Sequence, residues 1–305
     1  MAFGAFSGSA TAAIEPADRR RSPVAFFLLL PGILYLGLFF LAPLFSLVLT
    51  SFQEPVEFGD IGQYQTAFKW ENYVIVLQDY WPHIVRSFAF AAAATFFALL
   101  FSFPIAYFIG VTLRRFPLLQ ALALTLVIAP FFISFLLRTL AWKQLLSDES
   151  WLVTTLSSLQ ILPDGAQVTG TAFSVIFGLT YNFIPFMTLP IYTSLEKLDL
   201  RYVEAGGDLY ARPSSTFFRV TVPLAAPGII SGMLLTFIPA AGDYINASLQ
   251  FLGSSQTAMI GNAIEANFLV LQNYPVAAAL SLILMAAILV IVSIYVKKSG
   301  TEDLI

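Results

Sequence analysis

The sequence has no cysteine, one histidine and few charged residues. Without cysteine the chain cannot form a disulfide or present a thiolate, and a single histidine, His83, cannot build a histidine metal cluster. Charged residues make up 11% of the 305 residues, compared with roughly 25% in an average soluble domain. The net charge of -3 gives no support to nucleic-acid binding. A disordered chain is excluded as well, because disorder needs low hydrophobicity and high net charge.

Motifs of ATP-using and proteolytic enzymes are also missing. No G-x-x-x-x-G-K-[ST] loop is present, so the chain has no Walker-type cradle for the phosphates of ATP. An HExxH metal site needs two histidines, and an intramembrane aspartyl protease needs two membrane aspartates, whereas only Asp243 falls within an apolar run. These absences predict that the chain is not an enzyme and carries no cofactor or metal of its own.

Apolar residues dominate instead, at 58% of the chain. A helix needs about 20 mostly apolar residues to cross a hydrocarbon core of about 30 Å. Six runs meet or nearly meet this length, and they are Val24–Thr50, Ile84–Leu113, Leu118–Trp142, Thr171–Ser194, Gly228–Leu249 and Val276–Val296. The predicted fold is therefore an all-α, polytopic membrane protein with six transmembrane helices. Residues 23–298 form its membrane domain, between a disordered tail at 1–22 and a short tail at 299–305.

The basic residues predict the orientation of the chain. Eleven of the fifteen lysines and arginines lie in the two tails or in the connections on the same side as the tails. Cytoplasmic loops carry an excess of Lys and Arg, so both termini are predicted to be cytoplasmic. The segments on the opposite side are acidic and contain Glu54, Glu57, Asp60, Glu71, Asp79, Asp148, Glu149, Asp164 and Glu265.

The longest cytoplasmic connection, Ser194–Pro227, is predicted to form a helix, a break and a second helix. One apolar stripe recurs at spacings of three and four and comprises Leu195, Leu198, Tyr202, Ala205 and Leu209. Asp199 is a candidate N-cap for the first helix. The break falls at Arg212-Pro213, because the residue before a proline disfavours the α region.

Two interpretations of this stripe remain open. A helix that rests on the lipid interface commonly carries such a stripe. The Gly206-Gly207 pair favours a helix that docks onto a partner, because two glycines inside a helix cost about 1 kcal/mol each. Close approach of another backbone would account for them.

The stretch Glu204–Gly228, EAGGDLYARPSSTFFRVTVPLAAPG, resembles the E-A-A loop of ABC importer permeases. The family pattern is E-A-A, three residues, G, nine residues and I-x-L-P, and it aligns without gaps. The matching positions are Glu204, Ala205 and Pro223, with Val220 and Val222 in the Ile and Leu places. Gly206 replaces the second Ala, and Tyr210 stands where Gly is usual.

Further segments are similar to the spermidine/putrescine-type permeases within this family. They are Tyr181–Glu204, Gly242-Asp243-Tyr244, Leu252-Gly253-Ser254 and Met259-Ile260-Gly261-Asn262. The resemblance covers most of the chain from Ile84 to the C-terminus. It implies the fold of a type I ABC importer permease in a bacterial cytoplasmic membrane.

The resemblance also implies partners. These are a second, similar permease subunit (a heterodimer is expected), two ATPase subunits that bind ATP and Mg²⁺, and an extracytoplasmic solute-binding protein. In the family the E-A-A loop forms the coupling helices that sit in a groove of the ATPase. The residues expected to couple this chain to the ATPase are Glu204, Ala205, Gly206, Gly207, Asp208, Leu209 and Pro223.

Polar groups in the apolar runs are candidates for the solute pathway. An acid in a membrane helix costs about 2.5–3.5 kcal/mol, so Asp243 is expected to face a water-filled cavity or a partner. Aromatic faces attract ammonium groups by roughly 0.5–2 kcal/mol, which favours Trp142 and Tyr181. The candidate pathway residues are Asp243, Tyr244, Tyr181, Asn182, Trp142 and Glu265. A purely structural ion pair between Asp243 and Arg138 is the alternative.

The predicted function is that of a permease subunit in an ATP-driven importer of a small cationic solute, with polyamine as the favoured substrate. A permease for another small solute is one alternative. A self-sufficient channel or secondary transporter is another, but it calls for several membrane-embedded charges or an internal repeat, and neither is visible.

Overall fold

The computed structural model describes residues 23–163 and 165–299. The predictions for residues 1–22, for Asp164 and for residues 300–305 lie outside this part of the chain. The chain divides into two compact units, Met1–Ser46 and Leu47–Ile305.

The first apolar run forms α1 (Pro23–Leu36), a π-helical turn (Gly37–Leu41) and α2 (Ala42–Ser51), which extends into the second unit. The π-helical turn ends just before Pro43, whose missing N–H leaves a carbonyl of the preceding turn without its usual partner. The continuous helical stretch Phe27–Ser51 is long and apolar enough to cross a membrane.

The next connection and the second run form the start of the second unit. A two-stranded antiparallel ribbon pairs β1 (Glu54–Pro55) with β2 (Tyr64–Gln65). It is followed by α3 (Glu71–Asp79) and by α4 (Trp81–Tyr107), which continues through a π-helical turn and a 3-10 turn to Arg115. This second run is longer than the predicted Ile84–Leu113.

The third run is not one straight span. Helix α5 (Pro117–Ile128) leads through a 3-10 turn to an extended Ile133, and α6 (Phe135–Leu145) then leaves at an angle of 93°. Pro130 lies in this 3-10 turn, where its missing N–H removes one α-helical hydrogen bond just before the break. The predicted single helix Leu118–Trp142 is therefore a bent pair.

The remaining elements alternate short surface helices with long apolar ones. After α7 (Trp151–Ser158) comes α8 (Ala172–Glu196), which begins with a capping box between Thr171 and Ser174. The connection Ser194–Pro227 follows, and it contains three short helices before the next long one. The bounds are α9 (Arg201–Asp208), α10 (Pro213–Thr216), α11 (Val222–Leu224), α12 (Ala226–Ala241), α13 (Ile260–Glu265) and α14 (Tyr274–Ser299).

Helix α12 differs most from its predicted span, Gly228–Leu249. It ends at Ala241, and the chain from Gly242 to Met259 forms a series of turns. We call residues 242–259 the outer segment. Asp243 therefore lies just beyond a helix end, inside this segment, and not within a helix.

The core of the second unit is formed by α4, α8 and α12, which pack against one another. Small residues allow the close approach: a Cβ on Gly228 would lie 2.5 Å from the carbonyl oxygen of Pro190, and one on Gly232 would lie 3.0 Å from that of Met187. Small residues at helix contacts are typical of membrane proteins, where van der Waals packing holds helices together.

Four continuous helical stretches in the described residues are long and apolar enough to span a membrane. Two bent pairs, α5 with α6 and α10–α11 with α12, raise the number to six if each pair counts as one span. The all-α, polytopic fold class is confirmed.

Candidate coupling helix and polar network

The connection Ser194–Pro227 has the predicted order of helix, break and helix. The Asp199 carboxylate accepts a hydrogen bond of 3.0 Å from the N–H of Arg201, the first residue of α9. The break begins earlier than predicted, in a turn at Tyr210, and ends at Arg212, which is extended before Pro213.

The predicted apolar stripe divides into a buried and an exposed half. Leu195 and Leu198 are buried in the chain, whereas Tyr202 and Leu209 are 60% and 80% exposed. Tyr210 is 97% exposed. We call Tyr202, Ala205, Leu209 and Tyr210 the α9 surface. It leaves apolar area uncovered on a helix that also carries exposed carboxylates at Glu204 and Asp208.

The two glycines of α9 have different explanations. A Cβ on Gly206 would lie 2.7 Å from Oγ1 and 2.9 Å from Cγ2 of Thr216, a buried residue of α10. Gly206 therefore allows α9 to pack against α10, and the close neighbour is a side chain, not the backbone that the sequence suggested. A Cβ on Gly207 would meet no atom within 4 Å, so nothing in the described chain requires that glycine.

Tyr210 keeps the backbone conformation of the glycine it replaces. Its φ of 53° is left-handed, which costs roughly 1–2 kcal/mol for a residue with a Cβ. The tight turn of the E-A-A pattern is thus present although Gly is absent. Beyond it, Pro223 lies in α11, which continues into α12 and so connects the loop to the membrane core.

At the other end of α12, Asp243 belongs to a buried hydrogen-bond network. Its side chain is 8% exposed. Oδ2 accepts a bond of 2.8 Å from the backbone N–H of Asn246, and Oδ1 accepts one of 3.2 Å from Nδ2 of the same residue. Both bonds come from three residues away, so they stabilise the first turn of the outer segment.

Asn246 extends this network to two helices. Its Oδ1 accepts a hydrogen bond of 3.2 Å from Nδ2 of Asn182 in α8 and one of 3.5 Å from Oγ1 of Thr139 in α6. Asn182 also donates to Thr139, over 3.2 Å. Asn246 and Thr139 were not predicted. Only the Asp-x-x-Asn spacing at residues 243–246 signals the local turn, and no local pattern indicates the contacts with the helices.

Asp243 and Arg138 do not form the ion pair that the sequence left open. Nε and Nη1 of Arg138 are buried and have no hydrogen-bond partner, while the hydrogen-bond donors to Asp243 come from the loop that follows it. The alternative of a structural Asp243–Arg138 pair is therefore wrong for this structure.

The aromatic candidates lie beside the network. The rings of Trp142 and Tyr181 meet edge to face with centroids 5.1 Å apart. Tyr181 also lines a cavity of about 570 Å³ between α4, α5 and α8, whose wall includes the prolines at 104, 130 and 185. The structure thus brings Trp142, Tyr181, Asn182 and Asp243 together.

The other two candidates lie apart from this cluster. Tyr244 is half-exposed, and its carbonyl accepts a hydrogen bond of 2.6 Å from Nδ2 of Asn262. Glu265 is the last residue of α13 and is partly buried.

Close backbone contacts hold the outer segment in place. A Cβ on Gly253 would lie 2.0 Å from the carbonyl oxygen of Ala247, and one on Gly261 would lie 2.7 Å from that of Asp243. Ser174 at the start of α8 donates to the carbonyl of Leu252 over 2.8 Å. Ser87 of α4 accepts from the N–H of Ile260 over 2.7 Å. The glycines of the LGS and MIGN segments are therefore required by packing.

Curated relatives are similar to the chain over most of its length. The spermidine/putrescine transport system permease protein PotB of Haemophilus influenzae is 35% identical over 230 residues, which cover 75% of this chain and 79% of the relative. PotB of Escherichia coli is 32% identical over 266 residues, or 87% and 94% of the two chains. The chain belongs to the PotB family of ABC transporter permeases. No family model matches the chain.

Solved structures show the same fold for this permease. A chain of a bacterial ABC transporter that imports the acidic polysaccharide alginate aligns with a TM-score of 0.62 and 17% identity, covering 92% of this chain and 96% of that one. A chain of the MetNI methionine ABC transporter aligns with a TM-score of 0.53 and 16% identity, covering 71% and 93%. The permease is a multi-pass inner-membrane transport subunit, and an ATPase and a solute-binding protein are the partners that an ABC importer requires.

Gly206→Ala is expected to destabilise the purified permease, because the added Cβ collides with Thr216. Overpacking of this kind costs about 1–3 kcal/mol. Thr216→Ala leaves only a Cβ, at 3.3 Å, and should restore most of the lost stability in the double variant. Gly207→Ala is the matched control and should be neutral or stabilising, since alanine favours a helix. Unfolding midpoints in detergent check this series, and an unchanged Gly206→Ala variant would contradict it.

Asn246→Ala is expected to lower the free energy of unfolding by about 1–3 kcal/mol, because it leaves buried polar groups without partners. Combined with Asn182→Ala, the loss should be smaller than the sum of the two single losses, since the two residues share a bond. Asn72→Ala, at a buried asparagine that donates to the carbonyls of Ser51 and Gln53, should combine additively with Asn246→Ala. If the losses of unfolding free energy were additive in the Asn246/Asn182 pair as well as in the Asn246/Asn72 pair, the hydrogen-bond network would be refuted.

Proposed function

We propose that this permease forms half of the translocation pathway of a polyamine importer, with spermidine and putrescine as substrates. The similarity to PotB carries the proposal, because both relatives named above are spermidine/putrescine permeases and match most of the chain. Asp243 supports it physically. Its carboxylate is buried, and its hydrogen bonds come from neutral groups of the same turn, so its negative charge remains available to a cationic amine.

The proposed pathway runs past the cluster around Asp243. Trp142 and Tyr181 present aromatic faces within one cluster, and an ammonium group is attracted to such faces. Asn182 adds an amide oxygen, Oδ1, that is buried and has no hydrogen-bond partner. Tyr244 and Glu265 are assigned to the outer mouth of the pathway, where the solute-binding protein delivers its cargo.

The α9 surface is the proposed contact with the ATPase. It is apolar, exposed and flanked by Glu204 and Asp208, whereas Gly206 faces α10 within the permease. Gly207 presents bare backbone to the outside of the helix, so a partner can approach closely there. Closure of the ATPase dimer would move α9 together with α10, and Pro223 at the start of α11 lies where this motion enters α12.

A second permease subunit and a cytoplasmic location of both termini complete the proposal. The α1–α2 stretch exposes large apolar side chains such as Leu34, Phe39 and Phe45. The corner between α5 and α6 exposes Phe132 and Leu137. Lipid covers such surfaces in part, and a similar permease across a pseudo-two-fold axis would cover the rest. The excess of Lys and Arg on the side of the α9 loop supports a cytoplasmic location of that side.

Uptake by a reconstituted importer tests this function. Vesicles with this permease, its second permease, the ATPase and the binding protein should take up labelled spermidine and putrescine only with ATP. Asp243→Asn should reduce uptake about tenfold, equivalent to about 1.4 kcal/mol, because it removes the charge but keeps the shape. Asp79→Asn, at the exposed last residue of α3, is the matched control and should have no effect.

Three results would contradict the proposal. Uptake through this chain alone without ATP would indicate a channel or secondary transporter. ATP-driven uptake of another solute in place of polyamines would refute the substrate assignment. Full polyamine uptake by Asp243→Asn would remove the direct role of that carboxylate.

A further inference from the structure

Two charged side chains are buried in the described part of the chain, Asp243 and Arg138, and each is 8% exposed. They carry opposite charges but do not pair. Asp243 is held by Asn246, whereas Nε and Nη1 of Arg138 have no hydrogen-bond partner. Buried charges are normally paired and hydrogen-bonded, so Arg138 is an exception that needs a physical reason.

No carboxylate in the described residues compensates this positive charge. The guanidinium carbon lies 5.7 Å from the ring centroid of Phe135, which is on the same helix. A phenylalanine face is a weak partner for a cation compared with a carboxylate. Between residues 23 and 299, apart from the undescribed residue 164, no carboxylate forms an ion pair with Arg138.

The position of the charge is informative. Arg138 lies in the first turn of α6, directly after the 93° bend. The next residue, Thr139, hydrogen-bonds to Asn182 and Asn246. Trp142 lies one turn further along the same helix and contacts Tyr181. The unpaired charge is therefore adjacent to the cluster that we assign to the solute pathway, and the inference below rests on that assignment.

We infer that Arg138 is an electrostatic barrier that keeps small inorganic cations from leaking through the closed permease. A pathway that accepts polyamines attracts cations in general, and a negative cytoplasmic potential draws them inward. A fixed positive charge repels another cation strongly where the effective dielectric constant is low. Selective pores use an arginine in this way to exclude protons and cations.

The barrier depends on the closed state. In this structure the guanidinium nitrogens Nε and Nη1 are buried, so water screens their charge less than it would at the surface. Opening of the pathway around α6 would hydrate Arg138, and water weakens its repulsion of a passing amine several-fold. The guanidinium of Arg138 thus repels small cations strongly while the pathway is closed, and it repels a passing amine only weakly once the pathway is open.

The test measures ion leak in the complete transporter without ATP. Potassium-loaded vesicles that contain the assembled complex are placed in potassium-free buffer, and potassium release is followed. Arg138→Met should raise the release rate at least about tenfold. Methionine removes the charge, fills a similar volume and leaves no buried polar group, so this variant is expected to fold and assemble.

Two further variants separate charge from packing. Arg138→Lys keeps a protonatable group but not the planar guanidinium. Because burial favours the neutral amine, its leak is measured at low pH, where the ammonium forms and this variant should be as tight as the unmodified transporter. Lys143→Met is the matched control on the same helix, where the ammonium is near solvent and donates to the carbonyl of Gln250 over 2.7 Å. It should not change the leak.

Several outcomes would overturn the inference. These are an unchanged leak in Arg138→Met, an equally large leak in Arg138→Lys at low pH, or loss of the second permease from Arg138→Met. The last result would show instead that a carboxylate of that subunit pairs with Arg138. Because the assay uses neither ATP nor polyamine, its failure is distinct from a failure of polyamine uptake by the unmodified transporter.

Discussion

Backbone hydrogen bonding in the absence of water is the constraint on which this structure depends. Inside a membrane protein, non-helical backbone is tolerated only where other protein groups satisfy it. The outer segment meets this condition through side chains: Asp243 caps its first turn, Ser174 binds the carbonyl of Leu252, and Ser87 binds the N–H of Ile260. Helix α12 can therefore end at Ala241, and the polar groups that make this possible lie beside the proposed pathway.

The same helices join the outer segment to the loop that contains α9. Helix α8 contacts the network through Asn182 and reaches the loop at Glu196, and α12 runs from the loop to Ala241, two residues before Asp243. Gly228 and Gly232 bring the two helices into direct backbone contact, so they can move as one body. Under the proposed coupling, a displacement of α9 would reach the outer segment through α10, α11 and α12.

The sequence predicts the features that depend on local chemistry. Apolar runs locate the membrane helices, and Arg212-Pro213 predicts the break in the loop. The bend between α5 and α6 lies close to Pro130, and α12 ends close to Pro239. Membrane helices also tolerate proline, so the apolar pattern alone does not locate either break. Asn246 could not be found, because its bonds to Asn182 and Thr139 join residues far apart in sequence. The sequence indicates a close approach at Gly206, but only the structure shows that Thr216 is the neighbour that requires a glycine there.

Coupling of the permease to the ATPase through the α9 surface can be tested directly, because the chain has no cysteine of its own. Gly207→Cys introduces a single thiol at a position where a Cβ meets no atom within 4 Å. In the assembled importer, this thiol should cross-link to the ATPase subunit. Val74→Cys, on the exposed face of α3 at the opposite end, should not. Cross-linking of Val74→Cys to the ATPase, or none from Gly207→Cys in an intact complex, would contradict the account.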